Sequence, residues 1–233
     1  MVLNNFYLTV SNLLLAAHIC EPSAEARILV CFVLNINLKE FILHKDSIEV
    51  SEKNQKKILK LVKLRLKGFS ISSIIKKKEF YGKEFFVDKN VLIPRPESEL
   101  LIDIILKKVD KDKNLKILDV GTGSGILSII LSDYYKNSEI EAIDKSGKAI
   151  KIAKINSKMH KIDREKIFFK KKDLFKYKPK KMFDIIISNP PYIETTVVKE
   201  LLDNKTISDP AISLDGGKDG VIFYRELKVF CDK

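Results

Sequence analysis

Asn189-Pro190-Pro191-Tyr192 closes the apolar run Phe183-Asp184-Ile185-Ile186-Ile187-Ser188. A side-chain amide oxygen and a backbone carbonyl are both acceptors, and together they can take the two N–H groups of a planar NH2. The nitrogen of such a group is a poor nucleophile, because its lone pair is delocalised into the neighbouring π-system. Orientation is therefore what a protein can offer it. Pro190 and Pro191 fix their own φ and carry no backbone N–H, which stiffens the loop and holds its acceptors in place. Tyr192 adds a ring able to stack on a planar group. The tetrapeptide reads as a cradle for a planar NH2 that must attack an electrophile. The plainer alternative is a strand-to-loop turn, since Asn-Pro and Pro-Pro punctuate loops.

A second motif lies upstream. Lys116-Ile117-Leu118-Asp119-Val120 has the character of a short buried strand. Gly121-Thr122-Gly123-Ser124-Gly125 follows it, and Ile126 to Leu131 then begins a helix-like run. Strand, glycine loop and helix bring a cofactor against bare backbone at a helix N-terminus. The spacing is G-x-G-x-G and departs from the dinucleotide fingerprint. The next strand candidate, Glu139 to Ile143, ends at Asp144, roughly twenty residues beyond the loop, where a carboxylate holds ribose hydroxyls in such folds. Asp144 could instead cap the helix that starts near Ser146.

These two motifs need a sheet to carry them, and 233 residues suffice for one α/β domain with a small appendage. The formal charge of +12 comes almost wholly from Lys, with Arg only at positions 27, 65, 95, 164 and 225. The runs Lys76-Lys77-Lys78 and Lys170-Lys171-Lys172 lack interleaved aromatics, so they read as solvated faces and no stable nucleic-acid partner is expected. Cys20, Cys31 and Cys231 are odd in number and far apart, which excludes a disulfide framework and suggests a reducing, cytoplasmic compartment. His18, His44 and His160 make no metal-ligand spacing with them, and no metal is expected. The apolar stretch around Leu13 to Ala17 is too short to span a membrane.

The chain divides by pattern. Residues up to about Ser73 read as helical, with Pro22-Ser23 a cap for the helix that follows and Lys56 to Leu66 an amphipathic helix. Phe80 to Val87 reads as a turn and strand, with Val91-Leu92-Ile93 as its partner, a two-stranded connector. From Glu97 the pattern is α/β: a helix over Leu100 to Val109, the glycine-loop strand, a helix over Lys148 to Met159, a strand at Ile167-Phe168-Phe169 leading to Asp173, and the near-continuous apolar strand before Asn189. The expected organisation is a helical N-terminal domain over 1–79, a β-hairpin connector over 80–97 and a catalytic domain over 98–233.

Taken in order, the blocks Leu92-Ile93-Pro94-Arg95-Pro96-Glu97-Ser98-Glu99, Ile117 to Gly125, Phe183 to Ile193, Asp209-Pro210, Leu214-Asp215-Gly216-Gly217, Asp219-Gly220 and Tyr224-Arg225 resemble the bacterial release-factor glutamine N5-methyltransferases. These belong to the class I S-adenosylmethionine-dependent methyltransferases. Asn-Pro-Pro-Tyr alone is shared with DNA adenine methyltransferases; the Ile-Pro-Arg-Pro and Asp-Gly-Gly blocks narrow the resemblance, which covers essentially the whole chain. It implies a Rossmann-like α/β domain behind a small helical domain and a β-hairpin connector. It also implies methyl transfer from S-adenosyl-L-methionine to the glutamine of a Gly-Gly-Gln loop in peptide chain release factors, by a monomer. Gly121, Thr122, Gly123, Ser124 and Gly125 would lie against the cofactor, Asp144 would take the ribose, and Asp173 and Leu174 would border the adenine. Asn189 would bridge cofactor and substrate, with Pro190, Pro191 and Tyr192 holding the glutamine amide.

This sequence departs from the family in places. Ser98 stands where Thr is usual, and Leu174 where an aromatic is common. The family's sheet has seven strands, whereas this chain stops within the helix after the fourth, so the last three strands are expected to be missing. Two rival readings accompany the first: a nucleic-acid N6-adenine methyltransferase, and a truncated remnant that binds without turnover.

Overall fold

The computed structural model describes residues 1–204 and 208–232. Two compact units divide the chain, one over Met1–Ile75 and the other beginning at Lys76. The first is all-helical: α1 (Leu3–Ala16), α2 (Pro22–Leu34), α3 (Leu38–His44), α4 (Glu52–Leu66) and α5 (Ile71–Ile75). Their buried stripes, Leu3, Phe6, Val10 and Leu14 from α1, Ala26, Leu29 and Val30 from α2, and Ile58 and Val62 from α4, share one core. A capping box starts α3, with Asn37 accepting from the Glu40 N–H and Glu40 accepting from the Asn37 N–H. Pro22 is the first residue of α2, with no side-chain cap, so the expected Pro22-Ser23 cap is corrected. Proline suits that first position, where no N–H is needed.

The second unit opens with a hairpin, β1 (Lys77–Phe80) and β2 (Lys83–Phe86), antiparallel and joined by Tyr81-Gly82. Both turn residues have positive φ, 51° and 70°, which matches the right-handed twist of the strands. This corrects the expected pairing with Val91-Leu92-Ile93, which forms no strand. Val91 and Ile93 are nevertheless buried, packed with Val87 against Ala149 and Ile152. Burial alone gives an apolar triplet no ladder partner, and the two-residue turn had already paired Phe80 with Lys83.

The remainder alternates helix and strand: α6 (Glu99–Lys108), β3 (Lys116–Val120), α7 (Ile126–Tyr134), β4 (Glu139–Asp144), α8 (Gly147–Met159), β5 (Ile167–Lys171), β6 (Ile185–Ser188), α9 (Thr195–Asp203) and α10 (Ile222–Cys231). Four of the strands form a parallel sheet in the order β5-β4-β3-β6. The central strand β3 is fully apolar inward except for Asp119, and Ile117 and Leu118 are wholly buried. One face of the sheet packs on Ile102, Ile126, Ile129 and Ile130; the other packs Leu118, Val120 and Ile143 against Leu174 and Phe223. A parallel sheet covered on both faces requires such continuous apolar strands. Among the described strands β6 pairs only with β3, and no helix among the described residues is long and apolar enough to cross a membrane.

Candidate active site at the carboxyl ends of the strands

Parallel strands end on the same edge, so the loops after them meet there. Ser188 stands in register with Val120, and its hydroxyl donates to the Val120 carbonyl at 2.8 Å. That register sets Asn189 beside Gly121. Asn189, Pro190 and Pro191 line one cleft with Gly121, Gly123, Asp144, Asp173 and Leu174. Thr122 and Ser124 line an adjoining pocket that also includes Ser98 and Asn189. Tyr192 lies outside both linings, with its ring 59% exposed. The fifth loop residue, Gly125, has a packing duty: a Cβ there would stand 2.9 Å from the Ala153 Cβ of α8.

The glycine loop is held by bonds to its backbone and leaves bare faces toward the cleft. Gly121 and Gly123 have φ of 72° and 55°, and a Cβ on either would meet only open space or an atom 3.9 Å away. The positive φ selects glycine here, and the open space leaves room for a ligand against the chain. Asp144 Oδ2 accepts from the Gly123 N–H at 2.9 Å and Oδ1 from the Ser146 N–H at 2.7 Å. Burial pushes the Asp144 carboxyl above its ordinary range, opposed by the two N–H bonds. The helix α8 is capped by Ser146, whose hydroxyl accepts from the Ala149 N–H. The cap and the carboxylate are thus separate residues, and each Asp144 oxygen retains a lone pair.

Three supports were not legible as such in the sequence. The first is Asn156, wholly buried on α8. Its amide donates to the carbonyls of Phe86 and Ser124, at 2.9 and 2.8 Å, and accepts from the Phe86 N–H at 2.7 Å. One side chain thereby welds the hairpin to the glycine loop. The second is Asp209, 7% exposed, which accepts from the Ile93 N–H at 3.1 Å and from Arg95 Nη2 at 2.6 Å. It ties the Ile-Pro-Arg-Pro segment to the Asp-Pro segment. The third is the Asp-Gly-Gly block, which clasps the chain after Asn189. Ile193 donates to Leu214 and accepts from Gly216, and the Thr195 hydroxyl donates to Asp215 at 2.6 Å. This last bond, with the Gly217 N–H next, holds the Asp215 carboxyl below its ordinary range. A Cβ at Gly216 would stand 2.5 Å from the Gly220 carbonyl and 2.8 Å from the Tyr192 Cα, so backbone packs on backbone. The glycines in these blocks carry a signal that sequence could have given: paired glycines outside any cofactor loop mark a close approach of two chains.

Asp119, at the end of β3, is wholly buried. Its Oδ2 accepts from Thr122 and Ser128 hydroxyls at 2.7 and 2.6 Å, while Oδ1 has no partner. Burial pushes its pKa up to about 6; the two hydroxyl bonds pull it down, and the nearby Asp144 adds to the rise.

Among the described residues Asn189 makes one side-chain bond, Nδ2 donating to the Ser98 hydroxyl at 2.9 Å, which leaves Oδ1 without a partner among them. The arrangement can therefore offer two acceptors, Oδ1 and the Pro190 carbonyl, next to a cleft floored by bare glycine backbone and closed by a carboxylate.

Residues 97–229 match the Methyltransferase small domain family and residues 8–75 match the PrmC N-terminal domain family. The release factor glutamine methyltransferase of Dictyoglomus turgidum is 40% identical over 204 residues, covering 87% of this chain and 71% of that protein. That of Clostridium acetobutylicum is 36% identical over 207 residues, covering 87% of this chain and 71% of the relative. That of Clostridium botulinum is 36% identical over 228 residues, covering 96% of this chain and 79% of the relative. With its glycine loop, its Asn-Pro-Pro-Tyr strand end and this identity along most of its length, the chain belongs to the release factor glutamine methyltransferase family, whose enzymes draw their methyl group from S-adenosylmethionine.

Proposed function

We propose that this chain methylates the side-chain amide nitrogen (N5) of the glutamine in the Gly-Gly-Gln motif of peptide chain release factors. The observation that carries the reading is the juxtaposition of Asn189 and Pro190 with Gly121, Gly123 and Asp144 in one cleft. An acceptor pair for an NH2 there adjoins a site suited to a nucleoside-bearing methyl donor.

The cleft fits S-adenosylmethionine on its own chemistry. Gly121 and Gly123 present backbone without side chains, and Asp144 offers free lone pairs for a ribose diol. Leu174, buried against Ile143 and Phe223 on the far side, offers an apolar border for a purine, with Asp173 beside it. Thr122 and Ser124, which line the adjoining pocket, and Gly125 complete the loop against the cofactor. When bound, S-adenosylmethionine supplies a methyl on a sulfonium, whose C–S bond breaks with its electron pair returning to sulfur.

The chain's own part is orientation and charge. Asn189 Oδ1 and the Pro190 carbonyl each accept one N–H of the glutamine amide. The amide nitrogen is thereby aimed for in-line attack, and its lone pair forms the new N–C bond. Both acceptors stabilise the positive charge that the nitrogen gains. No strong base is needed before attack, because the alkylated nitrogen is far more acidic and sheds its proton to water afterwards. Pro191 stiffens the loop, and Tyr192, at its exposed end, is positioned for the incoming peptide. The helical unit over Met1–Ile75 serves substrate recognition, the hairpin that opens at Lys77 and the segment up to residue 97 connect, and residues 98–233 carry the chemistry, in a monomeric cytoplasmic enzyme.

The test is transfer of labelled methyl from S-adenosylmethionine to a purified bacterial release factor. The arms are this chain, its Asn189→Ala variant, a release factor whose Gly-Gly-Gln glutamine is replaced, and a bare oligonucleotide. Label that requires both Asn189 and that glutamine supports the reading. Label on the oligonucleotide alone would assign the chain to adenine instead, and no label from a folded, cofactor-binding chain would leave it a non-catalytic remnant.

A further inference from the structure

We infer that Ser98 is a positioning residue for methyl transfer, holding the nitrogen end of the Asn189 amide so that the oxygen end meets the acceptor. The inference rests on the proposed role of Asn189. Ser98 closes the short 3-10 turn Pro96–Ser98 and sits at the N-cap of α6, with 8% of its surface exposed. Its φ and ψ, −69° and −17°, are helical, outside the extended backbone from which an N-cap serine bonds a backbone N–H of the first turn. Ser98 makes no such bond. Its hydroxyl instead accepts from Asn189 Nδ2 at 2.9 Å, across 91 residues of sequence. The same two residues line one small pocket with Gly121, Thr122, Gly123 and Ser124.

The chemistry makes this bond matter. An asparagine amide is nearly symmetric in shape and opposite in polarity at its two ends. Turned by half a revolution, Asn189 would present NH2 to an acceptor that is itself an NH2. Two donors would face each other and one of the two orienting bonds would vanish. A hydroxyl fixed behind Nδ2 holds the amide plane and satisfies the donor end, leaving Oδ1 toward the substrate. Ser98 need not touch substrate or cofactor to do this. The backbone that carries it is itself anchored: the Ser98 N–H donates to Arg95, and Arg95 is bound to the buried Asp209.

Ser98→Ala, Ser98→Thr and Ser98→Val separate the hydroxyl from the space it fills, since Thr and Val share a shape and only Thr keeps the hydroxyl. Steady-state methyl transfer to a release factor is measured for each, with thermal unfolding and S-adenosylmethionine binding in parallel. The expected result is a loss of roughly tenfold or more in kcat for Ala and Val, with Thr near the parent, in line with losing one oriented hydrogen bond. Cofactor affinity, release-factor KM and melting temperature of the Ala variant stay close to the parent, which a merely structural role would not allow. Should the Val variant fail to fold, the Ala and Thr pair decides. Parent-like kcat in Ser98→Ala would overturn the inference, as would equal losses in Ala and Thr. The two readings fail separately: activity surviving Asn189→Ala removes the proposed function, whereas activity lost in Asn189→Ala but retained in Ser98→Ala removes only the role of Ser98.

Discussion

Asp119 should make folding stability depend on pH in a way that a single substitution isolates. Its ordinary pKa of 3.8 is pushed up to about 6 by burial. The folded state therefore holds this proton over a range where the unfolded chain has released it. The contribution to stability is greatest below pH 3.8 and is lost as pH rises through about 6. The gap, at 1.36 kcal/mol per pH unit, is worth about 3 kcal/mol, and full burial leaves no solvent screening to discount. Of this, ~2 kcal/mol falls between pH 4.5 and 7 by the same linkage. Asp119→Asn keeps an oxygen for the Thr122 and Ser128 hydroxyls but cannot ionise. It also places an NH2 where Oδ1 now lacks a partner, at a fixed cost that does not vary with pH. The informative quantity is thus the difference between variant and parent, in which every titrating group cancels except Asp144, whose charge is coupled to that of Asp119. Urea unfolding of both proteins at pH 4.5 and 7, at one ionic strength and with equal m-values, measures it. The variant should gain about 2 kcal/mol relative to the parent on going to pH 7. A difference that stays flat within about 0.5 kcal/mol, or moves the other way, would refute the reasoning.

Three further substitutions address the supports around Asn189. Gly216→Ala must displace either the Gly220 carbonyl or the Tyr192 backbone, 2.5 and 2.8 Å from the new Cβ; kcat should fall by roughly a hundredfold while circular dichroism stays native, as a misplaced reacting group demands. Asn156→Ala orphans the Phe86 N–H and two carbonyls in the interior, and denaturant unfolding should record a loss of about 3 kcal/mol or more. Asn189→Asp sets a negative charge beside a cationic cofactor and changes the hydrogen-bond pattern with Ser98; turnover in the labelled-methyl assay should drop by about a thousandfold. Parent rates in that variant would sink the proposed role of Asn189.

What could be read in the sequence was what repeats locally. The strand before the glycine loop and the one that ends at Asp144 fall where their Ile, Leu, Val and Ala residues placed them, as parallel strands covered on both faces, although each also buries a carboxylate, Asp119 in one and Glu141 in the other. The hairpin was misread because the apolar triplet Val91-Leu92-Ile93 looks like a strand, while the decisive signal was two residues, Tyr81-Gly82, able to take positive φ. Lys170-Lys171-Lys172 read as a solvated face, and all three are exposed; Lys170, while 45% exposed, also reaches the 3% exposed Glu141 at 2.8 Å. Glu141 also accepts from Tyr177. A buried carboxylate in a β-strand calls for such partners, but no spacing in the sequence says which lysine answers it.

The same limit explains the site. Asn189 can be recognised from its tetrapeptide because the chemistry of four adjacent residues is local. The direction in which its amide points is not local. It follows from Ser98, 91 residues away in sequence, from the register of Ser188 with Val120, and from a clasp built of Asp215, Gly216 and Gly220. Each of these acts through backbone, a single hydroxyl or, in Asp215, a carboxylate turned onto the Thr195 hydroxyl and the Gly217 N–H. An enzyme that activates a weak nucleophile by orientation depends on such supports, since a misplacement of the reacting groups by about 1 Å can cost about a hundredfold in rate. The segments that hold Asn189 therefore deserve the same mutational scrutiny as Asn189, and the pairing of Ser98 with Asn189 is where orientation can be altered without removing either acceptor.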